Sequence, residues 1–376
     1  MKKKYSLKDE LFNQEKVEKL AQEIEEVYLS FKSSEFTKEV VEKFPTLELK
    51  ERIYHIREML HRYLPLDYKE AIEILLKALP FELDPTKSDD DFGDFIYAPY
   101  GDYVATYGCV EEHLELSLFA LVEMTKRFSM EYAIRDFINS FPQETLAMLY
   151  QLSISKNYHQ RRFVSEGLRP KLPWSKKLTV DYREPLKHLD NLFCDATRYV
   201  TRSVANHLND IAKIDASLVL ETLKQWKKSS KQKPKEMEFI LTHSLRTLVK
   251  EGNLEALELL GYASHPKIVV SSLIIADKEV KIGKALVFGA VIEAKEDVKL
   301  MVDYLLYFRN KKGELSPKVH KLKKLKMKKG EKMIVKKRHL FRANMTTRKL
   351  YVGEHKVALQ VNGERFEDVG FQLLQL

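Results

Sequence analysis

Three groups of polar residues recur at a spacing of four, which predicts that each lies on one face of a helix. They are Arg127, Glu131 and Arg135; Arg162 and Glu166; and Arg202, Asn206 and Asp210. In the first two groups a carboxylate stands one turn from an arginine, and in the third Asp210 stands two turns from Arg202. The plain alternative for any one group is a helix-surface salt bridge. Three alike on successive helices would instead line one concave surface, where stacked helical repeats bind extended ligands. The second group runs straight into Gly167-Leu168-Arg169-Pro170-Lys171-Leu172-Pro173-Trp174. Gly167 suits the residue just past a helix end, and the two prolines force an extended path toward one of only two tryptophans in the chain. A rigid, positively charged loop thus presents an aromatic face suited to a base, a sugar or a cation. The alternative for Trp174 is a buried anchor for the loop.

Other chemistry finds little support. There is no GxSxG, no phosphate-cradling glycine loop and no HExxH. No metal-ligand spacing appears, so neither a metal nor a cofactor is expected. His159, His207 and His243 fall on different helical segments and read as structural or phosphate-contacting residues, not as bases. Two lone cysteines, Cys109 and Cys194, make no disulfide framework and fit a reducing cytoplasm. The basic start at residues 1–5 has no apolar segment behind it and is not read as a secretory signal. No apolar run approaches the roughly 18 residues of a membrane span.

The elements that position these residues follow from periodicity. From Leu7 to about Leu260 apolar residues recur at three and four, as in Val17, Leu20, Ile24 and Tyr28. Helices are predicted over Tyr68 to Ala78, Glu112 to Phe128, Met130 to Asn139, Gln143 to Ser153, His159 to Gly167, His188 to Phe193, Thr197 to Lys213, Ala216 to Lys227 and Glu238 to Glu251. Two-helix units of roughly 40 residues indicate a HEAT-like α-solenoid, with a plain helical bundle still open. Phe81 to Gly108, rich in Asp, Gly, Pro and Tyr, reads as a long surface loop. Trp226, inside the amphipathic run from Leu218, reads as core.

After Ser264-His265-Pro266 the period becomes alternating. Short β-type runs at Lys267 to Val270, Ala285 to Phe288, Val298 to Val302, Met333 to Val335, Lys356 to Leu359 and Phe371 to Leu374 predict a β-sandwich of six or seven strands with immunoglobulin-like shape. The expected architecture is therefore mainly α, with a helical domain over 1–263 and a β-sandwich over 264–376. Between two of the strands, Lys321 to Lys329 reads as a cationic hairpin carrying Lys321, Lys323, Lys324, Lys326, Lys328 and Lys329.

Formal net charge is +9, and it is unevenly placed: the first 155 residues are acidic and the remainder is basic. A basic surface attracts a polyanion, nucleic acid before an anionic membrane, though a merely solubilising surface has the same composition. The acidic front suits a cap on the solenoid that keeps a polyanion at the other end.

At this point the residues resemble a known family. Tyr158 through Trp174 resembles the signature of the AlkC branch of the HEAT-like-repeat alkylpurine DNA glycosylases. Arg202 through Lys213 is similar to that family's second motif, and Thr125 through Arg135 to a third. The resemblance covers most of Thr125 to Gly261, and some members also carry an immunoglobulin-like domain. It implies hydrolysis of the N-glycosidic bond of 3-methyladenine and 3-methylcytosine in double-stranded DNA, as a step of base excision repair, without full base flipping. Carried over by position, it implies a catalytic pocket of Glu131, Trp174 and Asp210, with Glu166 a further candidate. Candidate phosphate contacts are Arg127, Arg161, Arg162, Arg169, Lys171, Arg202 and Arg246, joined by Lys323, Lys324 and Lys326 of the accessory β-domain. A monomer at the bacterial nucleoid is expected. The competing readings are a catalytically silent HEAT-repeat scaffold for DNA and, more remotely, a protein-binding solenoid.

Overall fold

A computed structural model describes every residue except 1–5, 85, 88, 90, 91, 344, 346, 347 and 376. The chain forms two compact units. The first comprises the residues up to Ile214 together with Gln225–Ser244, and the second Asp215–Lys224 together with Leu245–Leu376. The last helix ends at Leu259 and the first strand starts at Ile268, while the compact unit that holds the strands also takes in Asp215–Lys224 and the helices from Leu245 onward.

The helices are α1 (Leu7–Leu11), α2 (Gln14–Val27), α3 (Ser33–Lys43), α4 (Leu49–Tyr63), α5 (Tyr68–Lys77), α6 (Ala98–Tyr107), α7 (Leu114–Met124), α8 (Ile134–Ser140), α9 (Pro142–Leu152), α10 (Tyr158–Gly167), α11 (Leu186–Leu192), α12 (Arg198–Ile211), α13 (Ala216–Ser229), α14 (Pro234–Ser244), α15 (Arg246–Glu251) and α16 (Leu254–Leu259). Local chemistry explains several starts. Asn13 and Asp67 cap α2 and α5 by accepting from backbone amides, and Glu48 with Glu51 closes a capping box on α4. The apolar stripe of α2 buries Val17, Leu20, Ala21 and Ile24, each worth up to roughly 1.5–3 kcal/mol for the larger side chains. In the first unit α10 packs against α9, α11 and α12, and α12 packs against α14, which is a helical repeat. Trp226 is core as expected: it stacks on Phe193 at 4.5 Å, and its indole N–H donates to Asp190 at 2.7 Å.

Two expectations are corrected. The segment Phe81 to Gly108 is not one long loop, because it contains a 3-10 turn at Phe95–Tyr97 and then α6. Tyr97, Tyr100 and Tyr103 sit three apart, so their rings fall on one helical face and are almost wholly buried. Tyrosines read as loop polarity are core. Residues 85, 88, 90 and 91 of that segment lie outside the described residues. The second correction concerns residues 125–133, which form turns between α7 and α8 instead of extending either helix. Gly93 bridges Phe128 and the Thr125 hydroxyl accepts from the Met130 amide, so the chain changes direction here.

In the second unit the strands are β1 (Ile268–Val270), β2 (Ile274–Ile275), β3 (Glu279–Lys281), β4 (Ala285–Ala294), β5 (Val298–Arg309), β6 (Leu315–Met327), β7 (Lys332–Leu340), β8 (Gly353–Val361), β9 (Glu364–Arg365) and β10 (Val369–Leu374). One sheet runs β1-β4-β2 with β7 also on β4, and the other runs β3-β10-β8-β5-β6 with β9 on β8. Alternate residues such as Leu286, Phe288, Ile292, Leu300, Leu359 and Phe371 fill the core. The six predicted runs lie in β1, β4, β5, β7, β8 and β10. The lysine segment is corrected: Lys321, Lys323, Lys324 and Lys326 are exposed residues of β6, not a hairpin loop. β6 ends its sheet, and lysines on an edge strand discourage pairing with another chain. The density of lysine therefore has a structural cause beside any attraction for an anion.

Candidate active site

Trp174 is presented by a loop that the first unit holds from below. Asn157 caps α10 by accepting from the amides of His159 and Gln160. Gly167 is the last residue of α10, not the residue beyond it. A Cβ there would stand 2.7 Å from the Ile134 side chain, so glycine is required by the close approach of α8. From Leu168 onward the chain leaves the helix, and Trp174 adopts φ 63° with 70% of its surface exposed. A left-handed aromatic residue costs of order 1–3 kcal/mol and needs restraint from its surroundings. The restraint is visible. Arg135, wholly buried, donates to the carbonyls of Gly167 at 2.8 Å, Arg169 at 2.9 Å and Lys176 at 2.7 Å, so one guanidinium grips the loop on both sides of Trp174. Burial and the nearby Arg169 charge lower Arg135 to about 10, which still leaves it cationic near neutrality. Lys50 donates to the Trp174 carbonyl, Tyr132 donates to the Pro173 carbonyl at 3.3 Å, and Asn139 donates to the Lys177 carbonyl at 2.9 Å. Beside Trp174 opens a cavity of about 540 Å³, lined in part by Ile53, Tyr54, Phe95, Met130 and Tyr132.

Behind this loop lies a buried chain of alternating charges. Arg162 on α10 donates to the Ser129 hydroxyl at 2.8 Å and to the Glu131 carboxylate at 3.2 Å, and Ser129 donates to Glu131 as well. The Arg162 guanidinium also lies 4.5 Å from the centre of the Tyr199 ring. Arg169 bonds Glu166 at 3.0 Å and holds Asp210 of α12 at 3.0 Å through two nitrogens. Lys213 approaches the other Asp210 oxygen at 3.3 Å. Glu131 pairs with Arg162, and Glu166 and Asp210 share Arg169; the charge of Arg162, felt by Glu166, joins the two groups into one network.

The carboxylates are not equivalent. Burial pushes the Glu131 carboxyl up; Arg162 pulls it down and the charge of Glu166 pushes it further up, leaving it above the ordinary range. Burial acts on Glu166 in the same direction, but Arg162 and Arg169 outweigh it and hold this carboxyl low. Neighbouring acids pushed apart in this way suit different roles, one exchanging a proton and the other keeping its charge. His207 is wholly buried and its Nδ1–H donates to the Ser165 carbonyl at 3.0 Å; burial lowers it to about 3, so it is neutral and no base.

The sequence grouping of Arg127, Glu131 and Arg135 is corrected, because residues 125–133 are turns and the three side chains diverge. Arg127 donates to the Pro80 and Glu123 carbonyls, Glu131 meets Arg162, and Arg135 grips the tryptophan loop. The other two groups do lie on single helices, α10 and α12. Of the candidate phosphate contacts, Arg161 is engaged by Asp195, Arg162 and Arg169 belong to the buried network, and Arg202 pairs with Asp89. Lys171 is exposed, and Arg246 is partly exposed at the start of α15. Ser129, Tyr199 and Lys50 escaped sequence reading, since nothing local marks a residue whose partner lies tens of positions away. Arg135 was noticed, but for the wrong partner.

With this geometry in hand, the comparisons are consistent. The family model described as "Uncharacterised protein YhaZ, C-terminal Ig-like domain" matches residues 269–375. The sequence is 32% identical over 368 residues to the uncharacterized protein YhaZ of Bacillus subtilis (strain 168), covering 97% of this chain and 98% of that one. Among solved structures, the alkylpurine DNA glycosylase AlkC of Pseudomonas fluorescens, bound to DNA containing an abasic site analog, matches with a TM-score of 0.87 and 32% identity. That match covers 98% of this chain and 99% of AlkC. The motif resemblance thus extends over the whole length, helical repeat and immunoglobulin-like domain alike. The chain belongs to the family that includes YhaZ and AlkC.

Proposed function

We propose that this protein is a DNA glycosylase that hydrolyses the N-glycosidic bond of cationic alkylated bases, 3-methyladenine and 3-methylcytosine, in double-stranded DNA. The observation that carries this reading is the network of Glu131, Glu166 and Asp210 behind an exposed, restrained Trp174, in a chain that shares its fold with DNA-bound AlkC.

The chemistry needs these residue types and no cofactor. Alkylation at a ring nitrogen gives the base a positive charge, so it takes the bond electrons and departs neutral without a strong general acid. Positive charge then develops on the sugar as an oxocarbenium ion, which carboxylates stabilise. Glu166, held low by Arg162 and Arg169, supplies lasting negative charge, and Asp210 lies on the same Arg169 guanidinium. Glu131, whose proton affinity is raised, takes the proton from the attacking water as its oxygen bonds to C1′. The products are an abasic site, a neutral methylated base and one proton. Trp174 packs on the cationic base, favouring charged lesions by about 0.5–2 kcal/mol. The lesion is met without full base flipping, as the resemblance to the alkylpurine DNA glycosylases implies.

Residues 1–263 carry this chemistry, and residues 264–376 add a basic surface through Lys323, Lys324 and Lys326, working as a monomer at the nucleoid as one step of base excision repair. Incubation with methylated duplex DNA tests the proposal by identifying the bases set free. Release of 3-methyladenine by the wild type, lost in Asp210→Asn while DNA binding persists, is the expected result. Binding without release from the wild type would leave a DNA-binding scaffold in its place.

A further inference from the structure

The ion pairs of Arg127, Arg161, Arg162, Arg169 and Arg202 raise the question of which cations of the first unit remain to meet a phosphate backbone. The chain from Lys224 to Lys235 reads Lys-Gln-Trp-Lys-Lys-Ser-Ser-Lys-Gln-Lys-Pro-Lys, and no acidic residue occurs between Glu221 and Glu236. Within it Lys228, Lys231, Lys233 and Lys235 are exposed, and none of the four joins an ion pair among the described residues. Three nearby carboxylates are already engaged, Glu236 by Arg198 at 2.6 Å, Asp195 by Arg161, and Asp190 by the Trp226 indole, and the flanking Glu221 and Glu238 form no ion pair with any of the four lysines.

This cationic turn is built, not loose. Gln232 is buried in its middle and donates to the carbonyls of Phe193 and Asp195, both at 2.9 Å, while its own oxygen accepts from the Lys233 amide at 2.7 Å. Ser230 takes a left-handed φ of 54°, and the Ser229 hydroxyl donates to the Trp226 carbonyl at 2.7 Å. Trp226 is itself fixed on Phe193. Four like charges on a fixed turn repel one another, and their mutual repulsion is relieved when a polyanion lies across them. Lysine is a compact point charge, suited to phosphates met in any sequence context.

We propose that the turn from Lys228 to Lys235 is a clamp for the phosphate backbone of duplex DNA, separate from the glycosylase site. The inference rests on DNA being the partner and is independent of base release. The test uses the full-length protein with Lys228, Lys231, Lys233 and Lys235 all changed to Gln, binding an unmodified labelled duplex over a series of salt concentrations. Each lost phosphate contact lowers the slope of log affinity against log salt by about 0.9, so a fall of about 2–4 is expected. The variant with all four changed to Arg should keep the wild-type slope. Gln232→Leu, which unpins the turn with its charge intact, should weaken binding at one salt concentration by several-fold. An unchanged slope in the Gln variant overturns the proposal. So does a variant that keeps its DNA affinity and instead loses binding to phosphatidylglycerol vesicles. A fall in slope by a protein that releases no methylated base upholds the clamp and removes only the glycosylase reading.

Discussion

Arg162 reaches Glu131 from a different element: its guanidinium on α10 stands 3.2 Å from a carboxylate carried by the turn before α8. The pair ties the two motifs together, and it leaves the carboxyl with a raised proton affinity despite the adjacent cation.

Glu131→Gln should lower base release about 100- to 10,000-fold, the usual contribution of a positioned base, with DNA affinity little changed. The wild-type rate should rise with pH as Glu131 loses its proton, through a midpoint above that of an ordinary carboxylate. In the Gln variant that limb should vanish. Single-turnover rates across pH check both points.

Trp174→Ala should reduce release of a cationic base by about 2- to 30-fold, the equivalent of 0.5–2 kcal/mol, while release of a neutral alkylated base changes less. A competition assay with both lesions in one duplex reads the ratio directly. Equal losses for both would deny the tryptophan any part in selecting charge.

Arg135→Met removes all three donors from the carbonyls of Gly167, Arg169 and Lys176. Stability should fall by about 2–4 kcal/mol. In a Trp226→Phe background the remaining tryptophan reports the loop alone, and its fluorescence anisotropy should drop in the Met variant.

Asp303 in β5 is buried, with one carboxylate oxygen lacking a hydrogen-bond partner, and burial raises it to about 6 against the pull of Lys321, Lys250 and Lys324. The folded state therefore binds the proton more tightly than the unfolded chain. Its contribution is fully present below about pH 4 and is lost as pH rises through 6. Asp303→Asn should stabilise the second unit by about 1–3 kcal/mol at pH 7.5 and flatten the pH dependence between 4 and 6. Denaturant melts at several pH values decide it.

What the sequence could reveal follows from locality. Arg202, Asn206 and Asp210 share α12 because helical spacing is a local property, and the six predicted strand runs were legible through alternation for the same reason. The turn at residues 125–133 was not, because its apolar spacing continues that of the flanking helices, while the bridge from Gly93 to Phe128 that bends it is set by tertiary contact. Arg135 illustrates the limit. Its type and place were plain, yet its partners are carbonyls more than thirty residues away, and backbone acceptors carry no mark in a sequence. The buried tyrosines of α6 were hidden for the opposite reason, since Asp, Gly and Pro around them imitate a loop. The charge network itself was half legible: spacing groups Arg162 with Glu166 on one helix, but nothing local shows that Arg162 meets Glu131 and Arg169 meets Asp210 across elements.

The most direct measurement is chromatographic identification of bases released from methylated duplex DNA by the wild-type protein and by Glu131→Gln at matched occupancy. The account predicts 3-methyladenine and 3-methylcytosine from the wild type and little of either from the variant. Full release by the variant, or none by a wild type that binds the same DNA, would contradict it.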